Sequence, residues 1–551
     1  MDSAAPDTQR TMPVRDLIAG VSVAGLLLPE AVAYASIAGL PPERAILAGI
    51  VGGLVYAAVG RSRFAIVSAT SSSAAILAAI LAGMPGDAAE KGMIATLVVA
   101  IVGLLLLGAS LLRMSALTDF ISRPVLRGFA FGLAITITAL QLPALLGLTM
   151  TAEAAQFGPI VQALAALPGL HPMSAVVGLA SLIGLLLLRR LPAIPGAFLV
   201  LAAGIAVSLL ADLPSLGVAT VGRFAFAIDW PGMPHVDWET FSRLCQLALP
   251  LVLILFAESW GTIRTLALRH GDAVDGGREL SALGLANIAS AFVRGMPVGA
   301  GFSAGSANEA AGALSRISAV VAATGLAVLV LAAAPLIAHL PKPVLAAVVV
   351  AAVSHALDPR PILRLWSLRR DAFIAIVAAA GVLLFGIVNG MIAAIALSIA
   401  AVVQRFASPH VARLGRLGAH DYVDLARHAD AVPPGNMVIW RPSTPMFFAN
   451  AGRILSLIAS GSDDPAVRGI VISFEESIDF DSSAIDALIE FDAAMRKRGL
   501  SVHYARVHDR VRDLMESAGG AALGARSHIS VDDAVVALAV ELGREGRSDG
   551  A

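Results

Sequence analysis

Long runs without a charged residue recur along most of this chain. Gly92–Leu112, Gly128–Ala152, Leu191–Ala211 and Ile317–Pro341 each offer the roughly 20 apolar positions that a helix needs to cross a bilayer. Leu17–Leu40, Ala45–Gly60, Phe64–Gly86, Met173–Leu188, Leu244–Ile263, Leu280–Val293, Gly295–Asn308 and Pro343–Leu357 are further candidates, some too short to span fully. Ala372–Gln404 is longer, and Asn389-Gly390 near its middle predicts a tight turn between two short helices. The pattern predicts an α-helical membrane protein with about fourteen membrane segments. Beyond Arg405 the pattern changes. Met437–Trp440, Ile470–Phe474 and Ser501–Tyr504 read as short buried strands. Ser482–Arg498, Val507–Ala518 and Val531–Leu542 read as helices, the first with Ile485, Leu488, Ile489, Ala493 and Met495 at its apolar positions. Alternation of this kind predicts a small α/β domain. The expected organisation is a transmembrane domain over 1–405, a linker over 406–435 and a soluble domain over 436–551.

Charge sharpens the boundary. Of 551 residues, 57% are hydrophobic and 14% charged, with a mean hydropathy of +0.80, against roughly 25% charged in soluble domains. Residues 1–405 hold 44 Asp, Glu, Lys and Arg, and residues 406–551 hold 35, so only the tail has a soluble protein's charge density. With the N-terminus inside and alternating spans, fifteen arginines fall in inner loops, Arg369 and Arg370 among them. Six basic residues fall outside: Arg44, Lys91, Arg223, Arg243, Arg294 and Lys342. That bias predicts cytoplasmic termini. The single cysteine, Cys245, excludes a disulfide framework and a Cys-based metal cluster. A net charge of −1 gives no footprint for nucleic acid. No catalytic set, cofactor motif or metal spacing is visible, so an enzyme is not expected.

Two segments carry the candidate chemistry. Ser68–Ser73 reads SATSSS, and Gly295–Ser306 reads GMPVGAGFSAGS. Paired broken segments in two halves of a transporter point to a midplane binding site, and helix N-termini there suit an anion. The same small residues would also serve close helix packing. Glu30, Glu258 and Glu309 lie within or beside apolar stretches. A charge at the bilayer centre costs at least ~2.5–3.5 kcal/mol on insertion scales, so each is a functional candidate. For Glu30 the plain alternative is a carboxyl held by a local hydrogen bond; for Glu258 it is an edge ion pair with Arg264. Glu309 fits solvation in a vestibule. Tyr34 shares a helix face with Glu30, where it could line a pocket or simply pack. His171 and His355 are isolated and fit an interface better than a ligand set.

Several ordered stretches resemble the sulfate permease (SulP) family of anion transporters. They are Pro29–Pro42, reading PEAVAYASIAGLPP, then Phe120–Leu148, then Gly277–Asn308. The tail resembles a STAS domain through Phe447-Phe448-Ala449-Asn450 and Asp481-Ser482-Ser483-Ala484. The resemblance implies seven plus seven helices in inverted repeat, divided into core and gate, with the third and tenth meeting head to head around the anion. It implies that Glu30 and Tyr34, Ser71 and Ser72, and Ser303, Ala304 and Gly305 face the substrate. It also implies a homodimer with cytoplasmic STAS domains. The sequence departs from the family pattern at three places. Glu30 replaces a common glutamine, Ser68-Ala69 replace Gly-Pro, and Ala304 stands where some members carry arginine. The first and third make the pocket less positive and favour a proton partner, carried by Glu30 with Glu258 as second candidate. Ser483 matches a serine phosphorylated in soluble STAS regulators, and a structural role in its loop is the plainer expectation. The expected function is secondary, proton-coupled symport of a small anion (sulfate, a C4-dicarboxylate or bicarbonate) across a bacterial inner membrane. A nucleobase-type transporter of the same fold and a membrane-tethered signalling protein are the rivals.

Overall fold

The computed structural model describes residues 8–113, 123–148, 161, 166–190, 196–222, 237–367, 372–518 and 520–548. Phe120–Ser122, Leu191–Pro195, Arg223, Arg369 and Arg370, which figure in the sequence expectations, lie outside them. The chain forms two compact units, Met1–Ile399 and Ala400–Ala551.

In the first unit the charge-free runs are helices. Helix α1 is Thr8–Ala38 and α2 is Pro42–Val59, with a π-helical turn at Ala48–Gly52. The third apolar segment is broken: strand β1, Val67–Ala69, leads into α3, Ser71–Ala82. Next come α4 (Ala88–Leu111), α5 (Arg123–Leu146), α6 (Pro172–Leu188), α7 (Gly196–Leu210), α8 (Trp238–His270) and α9 (Gly276–Phe292). The break then recurs, with β2, Val298–Ala300, leading into α10, Phe302–Ala310. Helices α11 (Ile317–Ile337), α12 (Lys342–Val353), α13 (Ala372–Phe385) and α14 (Ile387–Ala407) complete the series. Seven helical segments among the described residues are long and apolar enough to cross a membrane, and several shorter apolar helices accompany them.

One expected turn moves. The break in Ala372–Gln404 falls at Gly386, whose φ of 81° is a left-handed value that glycine adopts without strain. Asn389-Gly390 lies inside α14. Gly390 is a packing residue, because a Cβ there would stand 2.4 Å from the backbone N of Val382.

Buried polar straps tie the ends of the helices together. Asp16, fully buried, accepts hydrogen bonds from Leu314 N, Ser315 N and Ser315 Oγ. Glu279, also fully buried, accepts from Tyr56 Oη at 2.6 Å and Arg61 N at 3.0 Å. Such groups are tolerated in a core only because they are paired.

The second unit is a sheet covered by helices. Its strands are β3 (Val411–Leu417), β4 (Asp421–Asp424), β5 (Met437–Pro442), β6 (Gly469–Ser473), β7 (Ser501–Ala505) and β8 (Ser527–His528), in the order β4-β3-β5-β6-β7-β8. Strands β5 to β8 run parallel, and β3 is antiparallel to both β4 and β5. Helices α15 (Ala451–Gly461), α16 (Ser482–Lys497), α17 (Asp509–Ser517) and α18 (Val531–Ser548) follow. Ile470, Ile472, Phe474, Ile485, Leu488 and Tyr504 form the centre of its largest core. The stretch 406–435, expected as a linker, contains the hairpin β3–β4 and belongs to this sheet.

Candidate anion site in the membrane unit

The two broken segments meet. Strands β1 and β2 pair antiparallel, with Val67 opposite Ala300, Ser68 opposite Gly299 and Ala69 opposite Val298. Because each strand runs directly into a helix, α3 and α10 leave the ladder in opposite directions and their N-termini face one another across it. Asn287 of α9 braces the ladder: it donates through Nδ2 to Val298 O and Leu283 O and accepts from Val298 N. Ser259 of α8 accepts from Ala300 N at 2.9 Å. Gly299 lets α8 approach, since a Cβ there would stand 2.8 Å from Ser259 Oγ.

The two helix starts differ in their caps. Thr70 and Ser73 form a reciprocal capping box on α3, which satisfies two backbone donors internally. Helix α10 begins at Gly301 with no side-chain cap. Its first N–H groups keep their capacity and its dipole end is open to an anion.

A carboxylate from the opposite half lies over each start. Ser303, second residue of α10, donates from Oγ to Glu30 Oε1 of α1 at 3.1 Å. Ser72, second residue of α3, donates from Oγ to Glu258 Oε2 of α8 at 2.5 Å. The two contacts have the same logic: a glutamate of one half accepts from the serine in the first turn of the other half's broken helix. Tyr34, buried one turn beyond Glu30, lies within electrostatic reach of both Glu30 and Glu258. The geometry therefore gathers Glu30, Tyr34, Ser72, Glu258 and Ser303 at one place.

The other sequence candidates have these positions. Ser71 is half-buried at the first position of α3. Ala304 and Gly305 are buried in the first turn of α10, and a Cβ on Gly305 would meet Leu266 and Thr262 of α8 at 3.1 and 3.3 Å. Gly305 thus serves contact with α8. Glu309 accepts from Arg269 Nη1 at 3.0 Å and lies 2.8 Å from His270 Nε2; an ion pair at the end of α8 takes the place of the expected open solvation. His171 caps α6 through Ser174 N, and His355 lies beside Ala352 O on an exposed turn. In the second unit Ser483 is exposed at the second position of α16, whose N-cap Asp481 accepts from Ala484 N. Asn287 and Ser259 escaped the sequence argument. Their only signal was a polar residue in an apolar run, which small packing residues give as well.

Comparison with known proteins bears on this arrangement. The model of the sulfate permease family matches residues 14–379, and that of the STAS domain matches residues 428–531. A probable sulfate transporter of Mycobacterium tuberculosis is 32% identical over 514 residues, covering 91% of each chain. Human solute carrier family 26 member 6 is 29% identical over 473 residues, covering 80% of this chain and 62% of its own. Among solved structures, the murine solute carrier 26 family member A9 anion transporter in the inward-facing state superposes with a TM-score of 0.86. That match has 19% identity over 97% of this chain and 92% of that one. The transmembrane domain of a cyanobacterial bicarbonate transporter, BicA, gives a TM-score of 0.61 at 20% identity, covering 71% of this chain and 97% of its own. The fold with its two broken helices, the family match along the membrane unit and the STAS match behind it converge: the chain is a multi-pass membrane anion transporter of the sulfate permease family.

Proposed function

We propose that the protein carries a small anion together with protons, and that the anion binds at the uncapped start of α10 between Ser303 and Ser72. The observation that carries this reading is the pair of contacts Ser303–Glu30 and Ser72–Glu258. An ionised Glu30 places negative charge at the helix end that an incoming anion needs. Protonation removes that charge and leaves Ser303 Oγ and the α10 backbone donors to the substrate. Proton and anion then favour each other's binding, and the coupling is reciprocal. Glu258 is the second proton-binding candidate by the same contact from the other half.

Sulfate, a C4-dicarboxylate and bicarbonate are the substrate candidates. Sulfate stands first because relatives are described as sulfate transporters. We place the protein in a bacterial plasma membrane as a homodimer, with both termini in the cytoplasm, transport residing in the membrane unit and the STAS domain running from β3 to α18. The test is uptake of labelled sulfate, fumarate and bicarbonate into proteoliposomes under an inward proton gradient. Acidic external pH should stimulate uptake of at least one. Glu30→Gln should keep anion binding, lose the pH dependence and fail to concentrate substrate. Concentrative uptake by Glu30→Gln that still follows the proton gradient would move the proton to another residue.

A further inference from the structure

Between the apolar helices α12 and α13 the chain forms one more helix, Arg360–Ser367, reading RPILRLWS. It does not prolong α12. A 3-10 turn, Ser354–Leu357, and the extended residue Asp358 (φ −67°, ψ 115°) separate the two. The short helix is two-sided. Arg360 and Arg364 are one turn apart on one face, and Ile362, Leu365 and Trp366 fall on the opposite one. None of its residues is buried. Leu363 is 61% exposed and Trp366 65%. A helix with arginines on one side and exposed leucine and tryptophan on the other has the composition of one that lies at a membrane boundary.

The end of α6 joins it. Arg189, the C-cap of α6, donates from Nη1 to Ser354 Oγ at 2.9 Å, on the turn that leads into the short helix. Arg190 follows it, and both are exposed. On these elements the acidic residue among the described ones is Asp358, and it is taken: Arg360 Nε donates to its two oxygens at 2.9 and 3.0 Å. That pair cancels. Arg189, Arg190 and Arg364 keep a net charge of three, and neither Arg190 nor Arg364 has a carboxylate partner among the described residues. An exposed apolar strip beside uncompensated guanidinium groups, at the ends of two apolar helices, is complementary to a molecule with a phosphate next to acyl chains.

We propose that the helix Arg360–Ser367 and the end of α6 bind the headgroup of an anionic phospholipid, Arg190 and Arg364 holding its phosphate while Leu363 and Trp366 lie beside its acyl chains. Arginine suits this role because its planar fork pairs with phosphate oxygens two at a time. The attraction of basic residues to an anionic membrane surface adds to it and is screened by salt.

The test uses the full-length protein in nanodiscs of phosphatidylcholine with a minor fraction of phosphatidylglycerol. Two preparations have the same lipid composition. One holds brominated acyl chains on the phosphatidylglycerol, the other on an equal amount of the phosphatidylcholine. Bromine quenches tryptophan on contact, and the share of Trp366 is the difference between the protein and Trp366→Phe. Brominated phosphatidylglycerol should quench Trp366 the more strongly. Arg190→Gln combined with Arg364→Gln, which leaves the Arg189–Ser354 bond intact, should lower that preference by about fivefold or more. Lysine at the same two positions should retain most of it. Exchanging chloride for inorganic phosphate at constant ionic strength should leave the preference in place. Equal quenching by the two lipids, or a preference that survives in the glutamine variant, would overturn the proposal. So would displacement by inorganic phosphate, which would mark a site for a free anion. Absence of quenching by either lipid would overturn it too, because protein would then cover the helix.

Discussion

At the scale of single residues, the site is made by polar groups that apolar surroundings leave no freedom to drift. Asn287 is fully buried and holds both the N–H and the carbonyl of Val298. Replacing it with leucine preserves approximate size and strands those groups. Each unsatisfied buried group costs ~1–3 kcal/mol, so Asn287→Leu should lower the melting temperature in detergent and abolish anion-induced stabilisation. Asn287→Asp tests the acceptor separately, since it keeps the bond from Val298 N and loses the bond to Val298 O. Ser303 is exposed, so Ser303→Trp should leave the melting temperature nearly unchanged while uptake falls to background. Normal sulfate affinity in that variant would place the anion elsewhere. Glu30 and Glu258 were legible in the sequence because a carboxylate in an apolar run has to be explained. Ser72 and Ser303 were legible as members of small-residue clusters and through the family resemblance, but their pairing with these glutamates was not, since no sequence spacing relates residue 30 to residue 303.

At the scale of elements, the breaks in the third and tenth apolar segments were readable from their Gly and Ser content. That each break is a strand, and that the strands pair with one another, was not. A three-residue strand has no periodicity to detect, and its partner lies over two hundred positions away. The hairpin β3–β4 was missed for a related reason: Val411–Leu417 carries arginines at Arg413 and Arg416, so its alternation looked like a charged linker. Glycine placement was half-legible. Gly386 makes the turn expected at Asn389-Gly390, and the two kinds of glycine look alike until backbone angles separate them. Close packing of α5 on α13 shows the other kind. A Cβ on Gly128 would stand 2.0 Å from Ala375 O, and one on Gly132 would stand 2.7 Å from Ala379 O. Small residues that let backbones meet are the main device of helix association in lipid. Gly128→Leu should therefore yield aggregated protein by size exclusion, and Gly108→Leu, at a position with nothing within 4 Å of a Cβ, should remain monodisperse.

At the scale of the whole molecule, the change in charge density near residue 405 anticipated two bodies with separate cores, and the second should have its own pH response. Three groups meet beside its sheet. His503 of β7 is buried, with Nδ1 2.9 Å from His528 Nε2 and Nε2 2.7 Å from Glu541 Oε2 of α18; Ser501 Oγ also donates to Glu541. Burial, then the neighbouring His503, hold the His528 imidazole below its ordinary range, against a smaller opposing effect of Asp533. Burial pushes Glu541 up, but hydrogen bonds from Ser501 and His503, with the charges of His503 and Arg526, outweigh it and leave this carboxyl below its usual value. A histidine with a lowered folded value binds fewer protons than its unfolded counterpart below about pH 6.5. Stability then falls as pH drops through that window. Glu541 contributes in the same direction only in the more acidic carboxylate range. A soluble fragment of residues 408–551 should therefore melt at a lower temperature at pH 5.5 than at pH 7.5, and His528→Gln should flatten that difference while leaving the pH 7.5 value close to the parent's. Equal melting temperatures for the parent at both pH values, or an undiminished difference in His528→Gln, would remove His528 as the titrating group. In the full-length transporter the same acid sensitivity should appear as earlier unfolding of the tail. Anion binding by the membrane unit should persist, because Glu30, Ser72, Glu258 and Ser303 all precede residue 400.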